Sequence, residues 1–566
     1  MGSRYRLSTD ASCPIVIAAL YSGALSAFWC GGAVVRIVTI AEMRAAERAA
    51  ASRGITEDML QDRAGAAVAE AVRRCCPEGP IVVLAGRGNN GRDGWVAARY
   101  LQRRGRAISL YTLPGHALAP TELAAVVADG GRVYAGEPDR AVLVQWLRAA
   151  SGVVDGLLGI GARGAPRAPL AELIAVLNAE VRERGGALRV VAIDVPSGID
   201  ADTGAVPGEA VRAHATVVLG AMKVGLLRFP AAAYAGVLLP GDIGLPADAV
   251  PATGHVVLTR TMARDAVPAR PLGGHKGAFG RVLVCAGSSR YYGAALLCAA
   301  GAARAGAGIV ACLAAPALQA VIAGRLPEAT YVPLPEGPPD CAGEAAFHAL
   351  ADELSSWTAL VVGPGLARTE HTTRFLDLLL AERARRCPTQ PLVLDADGLY
   401  HLAHHPDWWT RLGPSAIVTP HHGEMARLAD MQADAIAAAP WEVARQVAMA
   451  RQVTVVLKGP HTVVAVPDGP CAVLPHPNPA LATGGTGDIL AGAIGGLLAQ
   501  GAGPRDAAIA GVYCHAAAAH QILRADERDL LLASDLPPAL AEALARLRAE
   551  RGDTSPGQCI PWEARF

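Results

Sequence analysis

The chain carries no net charge, since Lys plus Arg and Asp plus Glu each number 51 among its 566 residues. A balanced chain sets up no field that draws a phosphate backbone or an anionic bilayer, which argues against nucleic acid and membrane-surface partners. The twelve cysteines include no CxxC spacing, so neither a zinc site nor a disulfide framework is indicated, and a reducing cytoplasm fits. Aromatic residues make up only 4% and charged residues 18%, against 52% hydrophobic residues and 62 glycines. That is the balance of a well-buried α/β enzyme rather than of a disordered chain. The length exceeds what one hydrophobic core serves, so at least two domains are expected.

Charge is also missing from Ala11 to Val35, a run that follows Arg4 and Arg6 and is long enough to span a bilayer. Helical organisation begins only at Thr39-Ile40-Ala41-Glu42, a capping-box spacing, with Met43, Ala46 and Ala50 following on one face. Residues 1–35 therefore read as an extension outside any domain rather than as a signal anchor, and no membrane role is expected.

Beyond that point short apolar runs alternate with helical stretches, the pattern of parallel sheets wound with helices. Ile81–Gly86, Val153–Asp155 and Arg189–Asp194 read as strands of a first, Rossmann-like, doubly wound three-layer domain over residues 36–250. The pattern lapses between Leu239 and Gly274, which are rich in Pro and Gly, and restarts at Arg281–Gly287. Strands at Ile309–Ala314, Ala359–Gly363, Leu392–Asp395, Ala416–Thr419 and Val453–Lys458 then predict a second α/β domain over residues 260–550. Ligands of such sheets bind beyond the carboxyl ends of the strands, so two domains imply two sites.

In the second half Ala482-Thr483-Gly484-Gly485-Thr486-Gly487-Asp488 runs directly into the apolar stretch Ile489–Leu498. Consecutive glycines at a helix N-terminus let backbone amides converge on a phosphate. A carboxylate in the first turn, Asp488, can take a proton from a substrate hydroxyl while those amides stabilise charge on phosphorus. If Asp488 merely capped its helix it would contribute about 1 kcal/mol and leave the glycines unexplained. His401, His404 and His405 invite a metal reading, but no acidic or Cys partner stands at ligand spacing, and a solvated helical face is the expectation.

The segment Ala482–Asp488 resembles the active-site signature of the ribokinase-like superfamily. His275-Lys276-Gly277-Ala278-Phe279-Gly280, Gly363-Pro364-Gly365-Leu366, Asp395-Ala396-Asp397 and Thr419-Pro420-His421-His422-Gly423-Glu424 narrow the likeness to NAD(P)H-hydrate dehydratases. The resemblance covers about residues 265–545. It implies a ribokinase-like fold in which Ala278, Gly365, His421 and Asp488 contact the hydrated nicotinamide nucleotide. Lys458-Gly459-Pro460-His461-Thr462 and Gly487 would hold ADP, used with Mg2+ and left as AMP. His422 stands where the family more often has Pro.

In the first half Gly86-Arg87-Gly88-Asn89-Asn90-Gly91-Arg92-Asp93-Gly94 forms a glycine-rich turn before a helix expected from Trp95. With Asp155 and with Asp194-Val195-Pro196-Ser197-Gly198 it would gather three carboxylates at strand ends in one crevice. The bland alternative makes Asp93 and Asp155 turn formers and residues 196–198 a loop. These segments, with the helix from Thr39 and Asp62–Gly65, resemble NAD(P)H-hydrate epimerases over about residues 36–245. That likeness implies that Asn89, Asn90, Gly91, Arg92 and Asp93, the loop Gly159-Ile160-Gly161-Ala162-Arg163-Gly164-Ala165, and Asp194 bind the hydrate. It also implies that Asn90, Asp155 and Ser197 give oxygen ligands to K+. Asp194 is the candidate acid/base, since interconverting R and S hydrates moves protons as the hydroxyl-bearing carbon is opened and reclosed. Arg92 replaces the family's usual glycine, adding charge that either strengthens phosphate binding or blocks the pocket.

The expected partners are hydrated NADH, hydrated NADPH and ADP, and the expected assembly is a homo-oligomer. Two rivals remain in view. A thiamine-precursor-type alcohol kinase would share Gly485–Asp488 but would not need residues 275–280 or the first domain, and the first domain alone could serve as a nucleotide-sensing or protein-binding module.

Overall fold

The structure, a computed structural model, describes residues 34–551 apart from 117, 333, 335–342 and 526–528. All of the uncharged N-terminal run except Val34 and Val35 lies outside the described residues. Among the described residues no helix is long and apolar enough to cross a membrane. The chain divides into two compact units, with the division after Thr253.

The first unit opens with β1 (Ile37–Val38) and helix α1 (Ile40–Ala51). The expected capping box is formed: Thr39 Oγ1 accepts from Glu42 N at 3.3 Å, and Glu42 Oε2 accepts from Thr39 N at 2.8 Å. Met43, Ala46 and Ala50 are buried on one face. Helix α2 (Glu57–Cys75) then leads to β2 (Ile81–Ala85) and helix α3 (Asn89–Gln102). The strands β3 (Ile108–Thr112), β4 (Arg132–Ala135), β5 (Gly152–Gly156), β6 (Arg189–Ile193), β7 (Ala215–Leu219) and β9 (Val237–Gly241) complete one sheet, and the short β8 (Met222–Lys223) pairs with β1.

The seven-stranded order is β4-β3-β2-β5-β6-β7-β9, and every pairing is parallel. Both faces of this sheet are covered, which is why the strands read as unbroken apolar runs. Ile81, Val83 and Ala85 pack on the side of α2 and α3 with Val68, Val72 and Leu101. Val82 and Leu84 pack on the other side with Leu147 and Leu177, which belong to helices α4 (Arg140–Ala149) and α5 (Leu170–Glu183). Strand order reverses between β2 and β5, so the crevice for a ligand opens above their carboxyl ends.

The second unit is a ten-stranded sheet. In chain order its strands are β10 (His255–Val257), β11 (Arg281–Cys285), β12 (Ile309–Leu313), β13 (Thr330–Val332), β14 (Ala359–Val362), β15 (Leu392–Leu394), β16 (Ala416–Val418), β17 (Thr454–Leu457), β18 (Val463–Ala465) and β19 (Cys471–Val473). They lie in the order β10-β19-β18-β17-β16-β15-β14-β11-β12-β13. Only the β17–β18 and β18–β19 pairings are antiparallel. The Pro- and Gly-rich lapse between Leu239 and Gly274 conceals β10 and the helix Arg260–Ala266, both too short to show periodicity.

One face of this sheet packs helices α6 (Tyr292–Ala305), α8 (Thr486–Ala499), α9 (Pro504–Ala525) and α10 (Leu536–Glu550), while α7 (His422–Ala429) follows β16. Close approach of α6 and α8 is built on glycine: a Cβ on Gly492 would stand 1.9 Å from Cys298 O, and one on Gly301 2.4 Å from Ile489 O. That contact seats the N-terminus of α8 beside the carboxyl ends of β14 and β15.

Candidate active sites

In the first unit the glycine-rich segment is helical earlier than expected. α3 starts at Asn89, not Trp95, so Asn89 to Asp93 form its first turns, with the Gly91 and Arg92 amides bonded to Gly88 O. Two close approaches demand this path: a Cβ on Gly86 would stand 1.9 Å from Leu157 O, and one on Gly91 2.1 Å from Gly86 O. Asn90 Nδ2 donates to Leu158 O at 3.0 Å and Ile193 O at 2.9 Å, tying α3 to the ends of β5 and β6. With both amide protons used, Asn90 Oδ1 is left as an acceptor, and Gly159 lies against it. The rest of the loop to Ala165 is largely exposed, with Gly161 close to Arg44 of α1.

Asp155 lies inside β5 rather than at its end, and it is fully buried. Its carboxylate accepts from Ser197 Oγ at 2.6 Å, Ser197 N at 2.8 Å and Leu157 N at 3.3 Å. Burial raises its pKa, against the pull of the Ser197 hydrogen bonds. A buried carboxylate held only by neutral donors, with an amide oxygen and a hydroxyl gathered at the same strand ends, is an all-oxygen set suited to a hard monovalent cation.

Asp194 follows β6 with φ of 63°, the left-handed region that Asp tolerates better than most residues. The turn aims its carboxylate back into the unit, where Oδ1 accepts from Leu219 N at 3.0 Å and from Lys223 Nζ. Lys223, on β8, is completely buried and also donates to Leu219 O at 2.7 Å. The sequence reading missed this lysine. Asp93 lies on α3 rather than at a strand end, and it is buried, with its Oδ1 lacking any hydrogen-bond partner. Burial, then the charges of Asp194, Glu57 and Glu47, push its pKa up to about 8. Arg92 does not fill the crevice: it pairs with Glu122 at 3.4 Å and Asp58 at 3.9 Å and lies over the Trp95 ring.

In the second unit Gly485 caps α8 with φ of 92°, and a Cβ there would strike Leu297 Cδ1 at 2.6 Å. The turn is braced from below, since Thr486 Oγ1 donates to Leu481 O and Thr483 O while buried His515 bonds Thr486 O at 2.9 Å. Asp488 stands in the first turn, but no side-chain cap is formed, so the capping role is not what it serves. Burial, then Asp395, push its pKa up to about 7, against the pull of Lys458. Lys458 Nζ donates to buried Asp395 at 2.5 Å and lies 3.9 Å from Glu424, and Gly487 leaves room for both ends of that pair. The unfavourable burial of the lysine is outweighed by Asp395 and Glu424, so its pKa is raised.

His421 forms the N-cap of α7: its Nδ1 accepts from Gly423 N at 3.0 Å and Glu424 N at 3.3 Å. His422 takes the first helical position, which suits Pro because the amide there needs no partner, and its ring rests against Gly459. The substitution thus leaves the helix start intact. Strand register brings His421 beside Lys458 in a parallel bridge. The Gly459 to Thr462 turn follows, with the His461 ring buried against Leu474 O and so committed to the fold. Gly365 lies against Tyr291, whereas Ala278 sits in an exposed turn that no contact ties to Asp488.

His401 departs from its expected solvated face: it is buried, bonding Thr373 Oγ1 at 2.8 Å and Ala367 O at 2.9 Å. His405 pairs with Asp377. Among the described residues no group of three or more His, Cys, Asp or Glu is placed to hold a metal ion.

The chain is therefore an α/β enzyme with a candidate site in each of its two units. A family described as NAD(P)H-hydrate dehydratase matches residues 282–542, and one described as YjeF-related protein N-terminus matches residues 57–225. The bifunctional NAD(P)H-hydrate repair enzyme of Moorella thermoacetica is 36% identical over 528 residues, covering 91% of this chain and 97% of that one. Its counterpart in Escherichia coli is 33% identical over 506 residues, covering 88% and 91%. The crystal structure of ADP/ATP-dependent NAD(P)H-hydrate dehydratase from Bacillus subtilis, co-crystallised with ATP/Mg2+, is 34% identical, covers 51% of this chain and 98% of its own, and has a TM-score of 0.44. The chain belongs to the bifunctional NAD(P)H-hydrate repair enzymes, with an isomerase domain ahead of a ribokinase-like lyase domain.

Proposed function

We propose that residues 36–250 interconvert the R and S hydrates of NADH and NADPH, and that residues 260–550 dehydrate the S form with ADP, leaving AMP and phosphate. The observation that carries the second half is Asp488, unpartnered in the first turn of α8 beside the glycine turn and the Lys458–Asp395 pair. Hydroxide is a poor leaving group. Asp488 takes the proton of the hydrate hydroxyl as its oxygen bonds the β-phosphorus of ADP and AMP departs. Phosphate then leaves with the C–O electron pair while the neighbouring ring carbon loses a proton, which restores the dihydropyridine. The amides of Gly484–Gly487 and the Lys458 ammonium stabilise charge on phosphorus as it moves. Lys458, Gly459, Pro460, Thr462 and Gly487 hold the nucleotide with the backbone of His461, and Ala278, Gly365, His421 and Asp488 meet the hydrate.

Mg2+ would accompany the nucleotide and supply positive charge beside its phosphates, and an ion that keeps water and phosphate ligands needs no all-protein cage. In the first unit Asn89 to Asp93, Gly159 to Ala165 and Asp194 bind the hydrate, and Asp194 moves its proton. Asn90 Oδ1, Asp155 and Ser197 would hold K+, which supplies positive charge beside the substrate when bound. The enzyme works as a homo-oligomer in a reducing cytoplasm, in keeping with the scattered cysteines and the lack of any CxxC spacing in the sequence. Supplying pure S hydrate with ADP and Mg2+ tests the lyase half directly. AMP and inorganic phosphate are expected in equal amounts with NADH, whereas a stable phosphate ester would make the domain a kinase.

A further inference from the structure

We propose that Asp93 is the proton donor of the first unit's site, acting opposite Asp194 as the hydrate ring opens and recloses. The inference rests on the epimerase reading above. A buried carboxyl is ordinarily hydrogen-bonded or paired with a cation, because leaving it alone costs far more than exposing it. Asp93 is 6% exposed, and Oδ1 has no partner. It lies one turn into α3, at the switch point where the ligand crevice opens, so its isolation sits where a substrate binds rather than in the core.

The groups facing it are mostly acidic. Asp194 approaches from the end of β6, Glu57 from α2 and Glu47 from α1; Arg92, on its own helix, offsets them, and Lys223 on β8 is held by Asp194. Arg92 is itself engaged by Glu122 and Asp58. The surroundings therefore keep Asp93 protonated near neutrality, with its pKa raised to about 8. Asp194 is placed oppositely: its Oδ1 accepts from Lys223 Nζ and from Leu219 N, whereas Asp93 Oδ1 accepts from nothing. Two carboxyls in one crevice with environments this different are the arrangement that divides acid from base.

The hydroxyl-bearing carbon of the hydrate is bonded to the ring nitrogen. Asp194 removes the hydroxyl proton, the C–O bond becomes a carbonyl, and the C–N bond breaks with its electron pair going to nitrogen, which takes the proton of Asp93. Rotation about the adjoining C–C bond turns the other carbonyl face to nitrogen. Reclosure runs the same steps backward: nitrogen attacks the carbonyl and gives its proton back to Asp93, while Asp194 returns its proton to the oxygen and remakes the hydroxyl, so nothing is consumed.

The test follows R hydrate appearing from pure S hydrate without nucleotide, using the full chain. Asp93→Asn should lower kcat roughly 10²- to 10⁴-fold, a much larger change than any in KM. The intact protein's kcat/KM should fall above about pH 8, and that basic limb should vanish from the residual rate of Asp93→Asn. Asp93→Ala, checked for a native melting transition, should regain activity with acetate buffer in proportion to its protonated fraction. An intact chain that epimerises while Asp93→Asn stays within an order of magnitude of it overturns this proposal alone, as does a deep loss in which the basic limb persists and acetate rescues nothing. An intact chain that does not interconvert the hydrates overturns both this and the epimerase reading.

Discussion

Asp488→Asn lowers ADP-dependent dehydration of the S hydrate by roughly 10²- to 10⁴-fold, the worth of a positioned base, while leaving the fold in place. The expected retention of fold follows from the geometry. Asp488 makes no capping bond, and the start of α8 is held instead by Gly485, Thr486 and His515. A carboxamide of the same size disturbs none of these. The pH dependence has a definite sign. A base acts only when ionised, and burial with Asp395 nearby pushes Asp488 up to about 7. Dehydration by the intact protein therefore falls as pH drops through about 7, and the residual rate of Asp488→Asn lacks that acidic limb. Steady-state kinetics across pH on both proteins check this. An Asp488→Asn variant that keeps its rate but unfolds more easily would return Asp488 to a structural role.

Lys223→Met destabilises the first unit by about 3–5 kcal/mol, the cost of leaving one member of a buried ion pair without its counter-charge. Lys223 has no exposed surface and the Asp194 side chain is 8% exposed, so solvent cannot replace the lost ammonium. The double variant Lys223→Met, Asp194→Asn removes both charges, and it should recover most of the lost stability without recovering epimerase activity. Denaturant unfolding of the wild type, both single variants and the double variant closes the cycle. If the single Lys223 variant falls within about 1 kcal/mol of wild type, the pair does not hold the Asp194 turn as described.

The strands that carry the sites were legible because each is buried on both faces. Ile81–Ala85, Arg189–Ile193, Arg281–Cys285 and Thr454–Leu457 stand out as apolar runs ended by Gly, Asp or Lys. The hairpin strands Val463–Ala465 and Cys471–Val473 are three residues each, too few for alternation to register. The start of α3 was misplaced because Asn and Gly disfavour helix interiors, yet close packing against Leu157 and Gly86 and the two Asn90 hydrogen bonds override that propensity. Lys223 belongs to no motif. Its signal was weaker but present: it is the only charge in the apolar run from Ala215 to Leu227, and a lysine so placed needs a carboxylate. His401 shows the converse, a polar residue whose burial no spacing announced. Partners such as Asp395 for Lys458 lie 63 positions apart, and only strand order brings them together.

The central claim, that two sites repair both hydrates in succession, is tested by recovery of absorbance at about 340 nm, the dihydropyridine band, from mixed R and S hydrates with ADP, Mg2+ and K+. Full recovery is expected from the intact protein, recovery slowed roughly 10²- to 10⁴-fold from Asp488→Asn, and from Asp194→Asn rapid recovery of the S fraction alone. No recovery by the intact protein with either ADP or ATP would contradict the account.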